Sequence, residues 1–361
     1  MTALIHGHAG TSWSADPARI AIFQALNLGD LLCTTPALRA IRCRFPAAEI
    51  TFIGRPWAED FVTRLSTVDR FLPFPGFPGI AESPSGAVET NPPWPRFDLV
   101  MQMHGSGEVS NGFVATLEAT RSVGFGPLGD RRLTTALNWV ESEPEPLRWL
   151  RLAEAVGAAP AGLHLEFPVT PAERARAAAL IGAPDERPVI GLHVGASDPN
   201  RRWPADSFAR LGDRLAEGCR ARIVLTGSEQ ERSLTTSVRR VMTAAAIDLT
   251  GMTELGELAA VISALDLLVT NDTGVSHVAA ATRTPSIVLF GPTRPGRWAP
   301  LDRRRHQVID ATSYPGAPAD GVTALQALSV DDVLAACLAI PLTPGSLGSR
   351  FLDQERIAWA G

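Results

Sequence analysis

The most restrictive feature of this chain is a regular alternation of short apolar segments with amphipathic ones. Segments such as PADSFARLGDRLAEG and ELGELAAVISAL carry apolar residues at helical spacing. Strands that alternate with helices form parallel sheets covered on both faces, so we predict an α/β protein. The predicted strands are Ile20–Ala25, Ile50–Ile53, Phe97–Met101, Val189–Val194, Arg222–Leu225, Ile247–Leu249, Leu267–Thr270 and Ser286–Phe290.

The predicted strands fall into two series. At 361 residues the chain exceeds the size at which a single hydrophobic core stops growing. We therefore predict a first domain over residues 1–165, a linker over 166–187 without strand pattern, a second domain over 188–340 and a tail over 341–361. Residues 73–95, rich in Pro, Gly and Ser, are predicted to form a long surface loop.

Composition excludes several classes of function. The chain contains 33 arginines and no lysine, which rules out a Walker A lysine and a lysine Schiff base. The four cysteines are widely spaced and favour neither a disulfide framework nor a zinc site. With a net charge of −5 and no basic stripe, we expect no nucleic-acid partner. The first residues lack the features of a signal peptide, so we expect a cytoplasmic protein.

Common ligand-binding motifs are also absent. There is no G-x-G-x-x-G at the first turn, so a nicotinamide or flavin cofactor is not supported. There is no D-x-D pair to hold a diphosphate through a metal ion. We therefore expect neither cofactor nor metal, and we expect arginine and helix dipoles to bind any diphosphate.

The turn after the first predicted strand contains a candidate catalytic carboxylate. In ALNLGDLLCTTPALRAI, Gly29 permits a tight turn, Asp30 follows it, and Pro36 suits the start of a helix. Asp30 could cap that helix, or it could act as a general base at a cleft. The turn alone leaves both readings open.

Two turns in the second series indicate a nucleotide site. Ser197 and Arg201 lie between a strand and the helix near Pro204, where a guanidinium beside free N–H groups suits a pyrophosphate. Gly227 ends the next strand, and Glu231 follows within one helical turn. An acidic residue there is favoured by the helix dipole, but it can also accept hydrogen bonds from a ribose diol.

A fourth turn, in VTNDTGVSHVAAATRTPSIVLFGPT, contains polar residues and is followed by a helix of mostly small residues. Asp272 could cap the following helix. Thr273 and Gly274 would let a ligand approach the backbone, and His277 lies one helical turn further on. A histidine one turn behind a predicted phosphate site is a candidate ligand as well as a candidate core residue.

Three separated segments resemble glycosyltransferase family 9, the family of ADP-heptose:lipopolysaccharide heptosyltransferases. They are LGDLLCTTPALRAIRCRFPAAEITFIG, HVGASDPNRRWPADSFARL and the Asp272 segment, and their order and spacing match over about residues 20–300. The resemblance implies a GT-B architecture of two Rossmann-like domains facing a central cleft. The first would bind the acceptor and the second the nucleotide-sugar donor, and the tail could return to the first domain.

The resemblance also implies an inverting, metal-independent transfer and a role for each matching residue. Asp30 corresponds to the catalytic base, and Arg201 stands where a phosphate-binding lysine is usual. Glu231 stands at the ribose position and Met252 at the base. The residues implied at the donor diphosphate and sugar are Asp272, Thr273, Gly274 and His277.

The segment FDLVMQMHGSGEVSNGF departs from the pattern expected of a lipopolysaccharide acceptor site. Its candidate acceptor ligands are the uncharged Gln102, His104, Ser106 and Asn111. The acceptor could therefore be another surface glycan and the donor another nucleotide sugar. A non-catalytic scaffold and a nucleotide-sugar epimerase remain alternatives. Peripheral contact with the inner membrane is possible through aromatic residues that could instead pack the loop: Trp57, Phe61, Phe74, Phe77 and Trp94.

Overall fold

The computed structural model describes residues 15–80 and 94–340, which divide between Glu166 and Phe167 into two compact units. Each unit is built on its own six-stranded parallel sheet, so the predicted α/β fold with two parallel sheets is confirmed. The predicted tail, residues 341–361, and most of the Pro-rich segment, residues 81–93, lie outside the described residues.

The strand order of the first sheet changes direction between its two central strands. Its strands are β1 (Arg19–Phe23), β2 (Glu49–Gly54), β3 (Arg70–Pro73), β4 (Leu99–Gln102), β5 (Arg121–Phe125) and β6 (Thr135–Leu137). Their order across the sheet is β3-β2-β1-β4-β5-β6. Strands β2 and β3 thus lie on one side of β1, and β4, β5 and β6 lie on its other side. Such a switch point opens a crevice at the carboxyl ends of the two central strands.

The second sheet repeats this plan. Its strands are β7 (Val189–His193), β8 (Arg222–Thr226), β9 (Ala246–Asp248), β10 (Leu267–Asn271), β11 (Ser286–Phe290) and β12 (His306–Asp310). They are arranged in the order β12-β11-β10-β7-β8-β9. The switch point therefore lies between β7 and β10, and the turns that follow these two strands flank the crevice.

The described residues contain twelve α-helices, of which the last two follow the last strand. They are α1 (Leu28–Arg44), α2 (Glu59–Val62), α3 (Ser110–Ala115), α4 (Glu145–Ala155), α5 (Pro171–Ile181), α6 (Ala205–Cys219), α7 (Arg232–Val241), α8 (Leu255–Ser263), α9 (Gly274–Ala281), α10 (Pro295–Trp298), α11 (Gly321–Ala327) and α12 (Val330–Ala339). None of them alone has the length and hydropathy of a membrane span, although α11 and α12 pass that test as a bent pair.

The segment that we predicted as a linker contains a regular helix of the second unit. Helix α5 packs against α8. Its first turn is closed by a reciprocal cap, because Thr170 Oγ1 accepts a hydrogen bond from the Glu173 N–H and Glu173 Oε2 accepts one from the Thr170 N–H. Residues 166–187 therefore do not form an extended connection throughout.

Pro36 lies in the middle of α1 rather than at its start, where we predicted it. The helix begins at Leu28, and proline there removes one N–H from the helical ladder. Thr35 Oγ1 donates a hydrogen bond to the Leu32 carbonyl, the group that residue 36 would otherwise have bound. The threonine hydroxyl thus offsets part of the loss.

The sequence pattern did not identify β3, β5, β6 and β12. Strand β5 lies next to the edge strand β6 and is mostly buried, but Arg121, Ser122 and Gly124 interrupt its apolar run. Strands β3 and β6 are short and partly exposed, and these two strands and β12 lie at sheet edges. Edge strands bury only part of their surface, so they lack the continuous apolar run that marked the central strands.

An aromatic cluster packs the start of the Pro-rich segment onto the first sheet. The rings of Phe74, Phe77 and Trp94 lie 4.9, 5.8 and 5.7 Å from the ring of Phe113. Trp57 is the exception, with 42% of its surface exposed. Most of the aromatic residues that could have contacted a lipid-linked acceptor therefore belong to the packing of this unit.

Candidate active site

Asn271, the last residue of β10, joins the two turns that flank the crevice of the second unit. Its fully buried amide accepts a hydrogen bond from the Trp203 N–H at 2.9 Å and donates one to the Val194 carbonyl at 3.0 Å. Both partners belong to the segment that follows β7. The amide thus fixes the Ser197 and Arg201 turn against the Asp272 turn.

Asp272 is the buried carboxyl group of this crevice. Its Oδ2 accepts a hydrogen bond of 2.6 Å from the Thr293 hydroxyl and lies 3.6 Å from Nη1 of Arg201. Burial raises the pKa of the carboxyl, and Thr293 and Arg201 oppose that shift. Asp272 does not cap α9, because Thr273 occupies the N-cap position.

Arg201 brings a positive charge to the same place. Its Nη1 donates to the Asp272 carbonyl oxygen at 3.3 Å, and its Nη2 donates to Ser197 Oγ at 3.1 Å. The side chain is one quarter exposed, so the guanidinium is held in position while part of it faces solvent. This combination suits an anionic ligand.

The N-terminus of α9 adds backbone donors. The helix begins at Gly274, and the first N–H groups of any α-helix have no acceptor within it. Gly274 and Val275 offer two such groups beside Arg201 and Asp272, and no acidic residue occupies the first turn. The positive end of the helix dipole therefore points at the crevice.

Glu231 lies against the backbone at the end of β7. Its Oε2 accepts hydrogen bonds from the N–H and the hydroxyl of Ser228, at 2.8 and 2.9 Å. A Cβ atom added to Gly195 would be 1.8 Å from Glu231 Oε1. Gly227 follows β8 beside the same carboxylate, and its Cβ would be 3.5 Å from Glu231 Oε2. The glycine at position 195 is thus required for this carboxylate position.

Met252 and His277 occupy very different environments. Met252 follows β9 and is 47% exposed, which leaves its side chain available to a ligand. His277 is 4% exposed inside α9, and burial lowers its pKa to about 4. The imidazole is therefore neutral at physiological pH, and it contributes no positive charge to the crevice.

Three residues of this crevice had no role in the sequence prediction: Asn271, Thr293 and His193. Thr293 follows β11 in the segment FGPT, and a polar residue after a strand was the available signal. His193 ends β7, and its Nδ1 lies 3.1 Å from Thr226 Oγ1. Burial lowers the pKa of His193, although the neighbouring Glu231 carboxylate opposes the shift.

In the first unit, Asp30 lies in the first turn of α1, where it is partly exposed. Asn27 is the N-cap residue, and Asp30 at the third helical position completes a capping box with it. Its Oδ2 accepts a hydrogen bond of 3.3 Å from the Asn27 N–H. The carboxylate thus lies at the positive end of a helix that follows β1, at the switch point of the sheet.

The four candidate acceptor residues separate into two groups. Gln102 and Asn111 are fully buried, and their amides bind neighbouring groups: Gln102 Nε2 donates to the His104 carbonyl at 2.6 Å, and Asn111 Nδ2 donates to the Phe125 carbonyl at 2.8 Å. Ser106 is exposed, and His104 is partly buried. In this structure Gln102 and Asn111 shape the loop, while Ser106 and His104 reach its surface.

Comparison with known proteins identifies the family of the chain. The family model of glycosyltransferase family 9 (heptosyltransferase) matches residues 96–319. Lipopolysaccharide heptosyltransferase 2 of Salmonella typhimurium is 26% identical over 309 residues, which cover 80% of this chain and 86% of that protein.

Two solved structures have the same fold. A family 9 glycosyl transferase from Veillonella parvula matches with a TM-score of 0.74 at 21% identity, covering 89% of this chain and 96% of its own. ADP-heptose lps heptosyltransferase II of E. coli matches with a TM-score of 0.69 at 21% identity, covering 93% and 99%. The chain therefore belongs to glycosyltransferase family 9, the heptosyltransferase family, and it is a glycosyltransferase.

Proposed function

We propose that this enzyme is an inverting, metal-independent transferase that moves a heptose from ADP-heptose to a hydroxyl of a lipopolysaccharide core or related surface glycan. The observation that carries the proposal is the convergence of Arg201, Ser197 and the N-terminus of α9 beside the buried Asp272. The names of the heptosyltransferase relatives supply the sugar and the nucleotide.

The second unit would bind the donor. The diphosphate would lie against Arg201 and the free N–H groups of α9, which offset the negative charge that grows on it as it leaves. Asp272 would accept a hydrogen bond from a hydroxyl of the donor sugar. Glu231 would accept hydrogen bonds from the ribose diol, and Met252 would lie against the base.

The first unit would bind the acceptor, with Asp30 as the general base. The acceptor oxygen attacks the anomeric carbon on the face opposite the diphosphate, and the bond between that carbon and the diphosphate oxygen breaks. The bonding electron pair stays on the diphosphate, and the acceptor proton passes to the Asp30 carboxylate. Attack from the opposite face inverts the configuration. An ionised aspartate is a weak base, which suffices because the hydroxyl becomes acidic only as it attacks.

Calorimetric titration with ADP, UDP, GDP and dTDP, each with and without magnesium, tests the donor half of the proposal. We expect a preference for ADP that does not depend on magnesium. The Arg201→Ala variant should bind ADP at least about tenfold more weakly, because it loses a charge-assisted hydrogen bond. Arg214→Ala is a matched control, because Arg214 is more than half exposed and pairs with Asp331 on the surface.

A second candidate is a family 9 transferase that uses another nucleotide sugar and another acceptor. It is favoured by the absence of arginine from residues 102–111, the segment in which His104 and Ser106 reach the surface. Preference for a nucleotide other than ADP would support this candidate. Failure to bind any of the four nucleotides would contradict both and favour a non-catalytic scaffold. In either transferase, the reaction would take place in the cytoplasm, at the inner membrane if the acceptor is lipid-linked.

A further inference from the structure

The backbone N–H and carbonyl of Ala25, two residues after the end of β1, are each bound by a side chain that follows a neighbouring strand. The Ala25 N–H donates a hydrogen bond of 3.0 Å to Nδ1 of His104, which follows β4. The Ala25 carbonyl accepts one of 2.8 Å from Nε of Arg55, which follows β2. Because β2 and β4 flank β1 in the sheet, this arrangement lies at the crevice of the first unit.

His104 has little freedom in this arrangement. Its ring stacks on the ring of Phe23, with centroids 5.4 Å apart and planes 13° from parallel. Its carbonyl accepts hydrogen bonds from Gln102 Nε2 at 2.6 Å and Ser110 Oγ at 2.8 Å. Both the ring and the backbone are thus fixed, and the buried Gln102 acts by holding this histidine.

The hydrogen bond from Ala25 decides where the imidazole proton lies. Since Nδ1 accepts, the neutral ring carries its proton on Nε2. Burial and the Arg55 guanidinium lower the pKa of His104 to about 4, so the ring is neutral at pH 7. Nε2 has no hydrogen-bond partner among residues 15–80 and 94–340, and the ring is only partly buried.

We propose that the Nε2–H group of His104 donates a hydrogen bond to an oxygen of the acceptor sugar and thereby positions the attacking hydroxyl. This inference rests on the proposed binding of the acceptor by the first unit. A neutral donor suits this role. A protonated imidazole would stabilise the ionised form of the Asp30 carboxylate and make it a weaker base for the hydroxyl proton. His104 acts as a positioning residue, and Asp30 remains the base.

Two substitutions separate this role from a purely structural one. In His104→Asn, the shorter amide retains an oxygen that can accept the Ala25 N–H but has no group at the position of Nε2. In His104→Gln, the longer amide brings an N–H near that position but cannot accept the Ala25 N–H in the same way. His164→Asn is the control, because His164 is an exposed histidine of the same unit, with 45% of its side chain accessible.

The assay is acceptor-dependent release of ADP from ADP-heptose with purified truncated lipopolysaccharide. We expect His104→Asn to raise the KM for the acceptor by about threefold to tenfold, the range of one neutral hydrogen bond. The Kd for ADP should stay unchanged in both variants, and His104→Gln should recover most of the acceptor KM. His164→Asn should match the wild type.

The outcomes distinguish the two proposals. An unchanged acceptor KM in His104→Asn, with wild-type turnover intact, would overturn the positioning role and leave the proposed function standing. Loss of activity in His104→Gln alone would mean that His104 serves only to hold Ala25, and would also overturn it. Wild-type enzyme that binds ADP but transfers to no sugar acceptor would refute the proposed transfer and this inference together.

Discussion

Replacing Gly195 by alanine tests whether the position of Glu231 determines nucleotide affinity. The added Cβ would lie 1.8 Å from Glu231 Oε1, so the carboxylate would have to retreat by about 1.5–2 Å to reach van der Waals separation. The backbone at Gly195 is not in the left-handed region, so alanine introduces the clash without backbone strain. A hydrogen bond to a charged group contributes about 1.5–3 kcal/mol, so we expect the Kd for ADP to rise about 10- to 150-fold.

Calorimetry of ADP binding measures this effect, with Gly218→Ala as the control. Gly218 lies in α6, and a Cβ atom there would meet nothing within 4 Å. A double variant, Gly195→Ala with Glu231→Ala, should bind ADP no more weakly than Glu231→Ala alone, because the alanine at position 195 acts through the carboxylate. Wild-type affinity in Gly195→Ala would refute the assignment of Glu231 to the nucleotide.

Three further predictions follow from other parts of the chain. Asp30→Asn should lower kcat by about 10²–10⁴-fold with an unchanged Kd for ADP, and near-normal turnover would exclude Asp30 as the base. Burial lowers the pKa of His277 and of His306 to about 4, so the folded state binds fewer protons than the unfolded state between pH 6.5 and about 4. Acidification from pH 7 to 5 should therefore lower the free energy of unfolding by about 2 kcal/mol for each histidine, and His306→Asn should reduce the difference between denaturant midpoints at the two pH values. Arg148 is fully buried in an ion pair, so Arg148→Ala should lower the free energy of unfolding by about 3–5 kcal/mol, against less than about 1 kcal/mol for the exposed Arg214→Ala; equal effects in denaturant titrations would contradict this.

Local patterns located most of the elements that carry the candidate site. The central strands β1, β4, β7 and β10 are buried, apart from Arg19 at the start of β1, and therefore appear as largely apolar segments. Polar turns directly after such strands mark the carboxyl edge of a sheet, which is why Asp30, Ser197, Arg201 and Asp272 could be selected from the sequence. Their individual roles in catalysis remain predictions.

The burial of the candidate polar side chains was harder to predict than their position along the chain. Gln102 and Asn111 are polar residues at the two ends of the connection between β4 and α3, a signal similar to the one that selected Ser197. Both amides are nevertheless fully buried and bind neighbouring backbone groups. His277 is one helical turn from Gly274, but it faces the interior and is neutral. Sequence spacing gives the direction of a side chain along a helix, but not which face the rest of the fold covers.

The α/β class, the membership in family 9 and the turns in which polar residues follow buried strands could be inferred from the amino-acid sequence, because they depend on local patterns along the chain. Which turns adjoin became known from the folded structure, since β7 pairs with β10 and β1 pairs with β4 across long separations in sequence. The folded structure also shows which polar groups form hydrogen bonds to these neighbouring turns. The Asn271 bond to Trp203 and the His104 bond to Ala25 each join residues far apart in the chain, so no local pattern contains them.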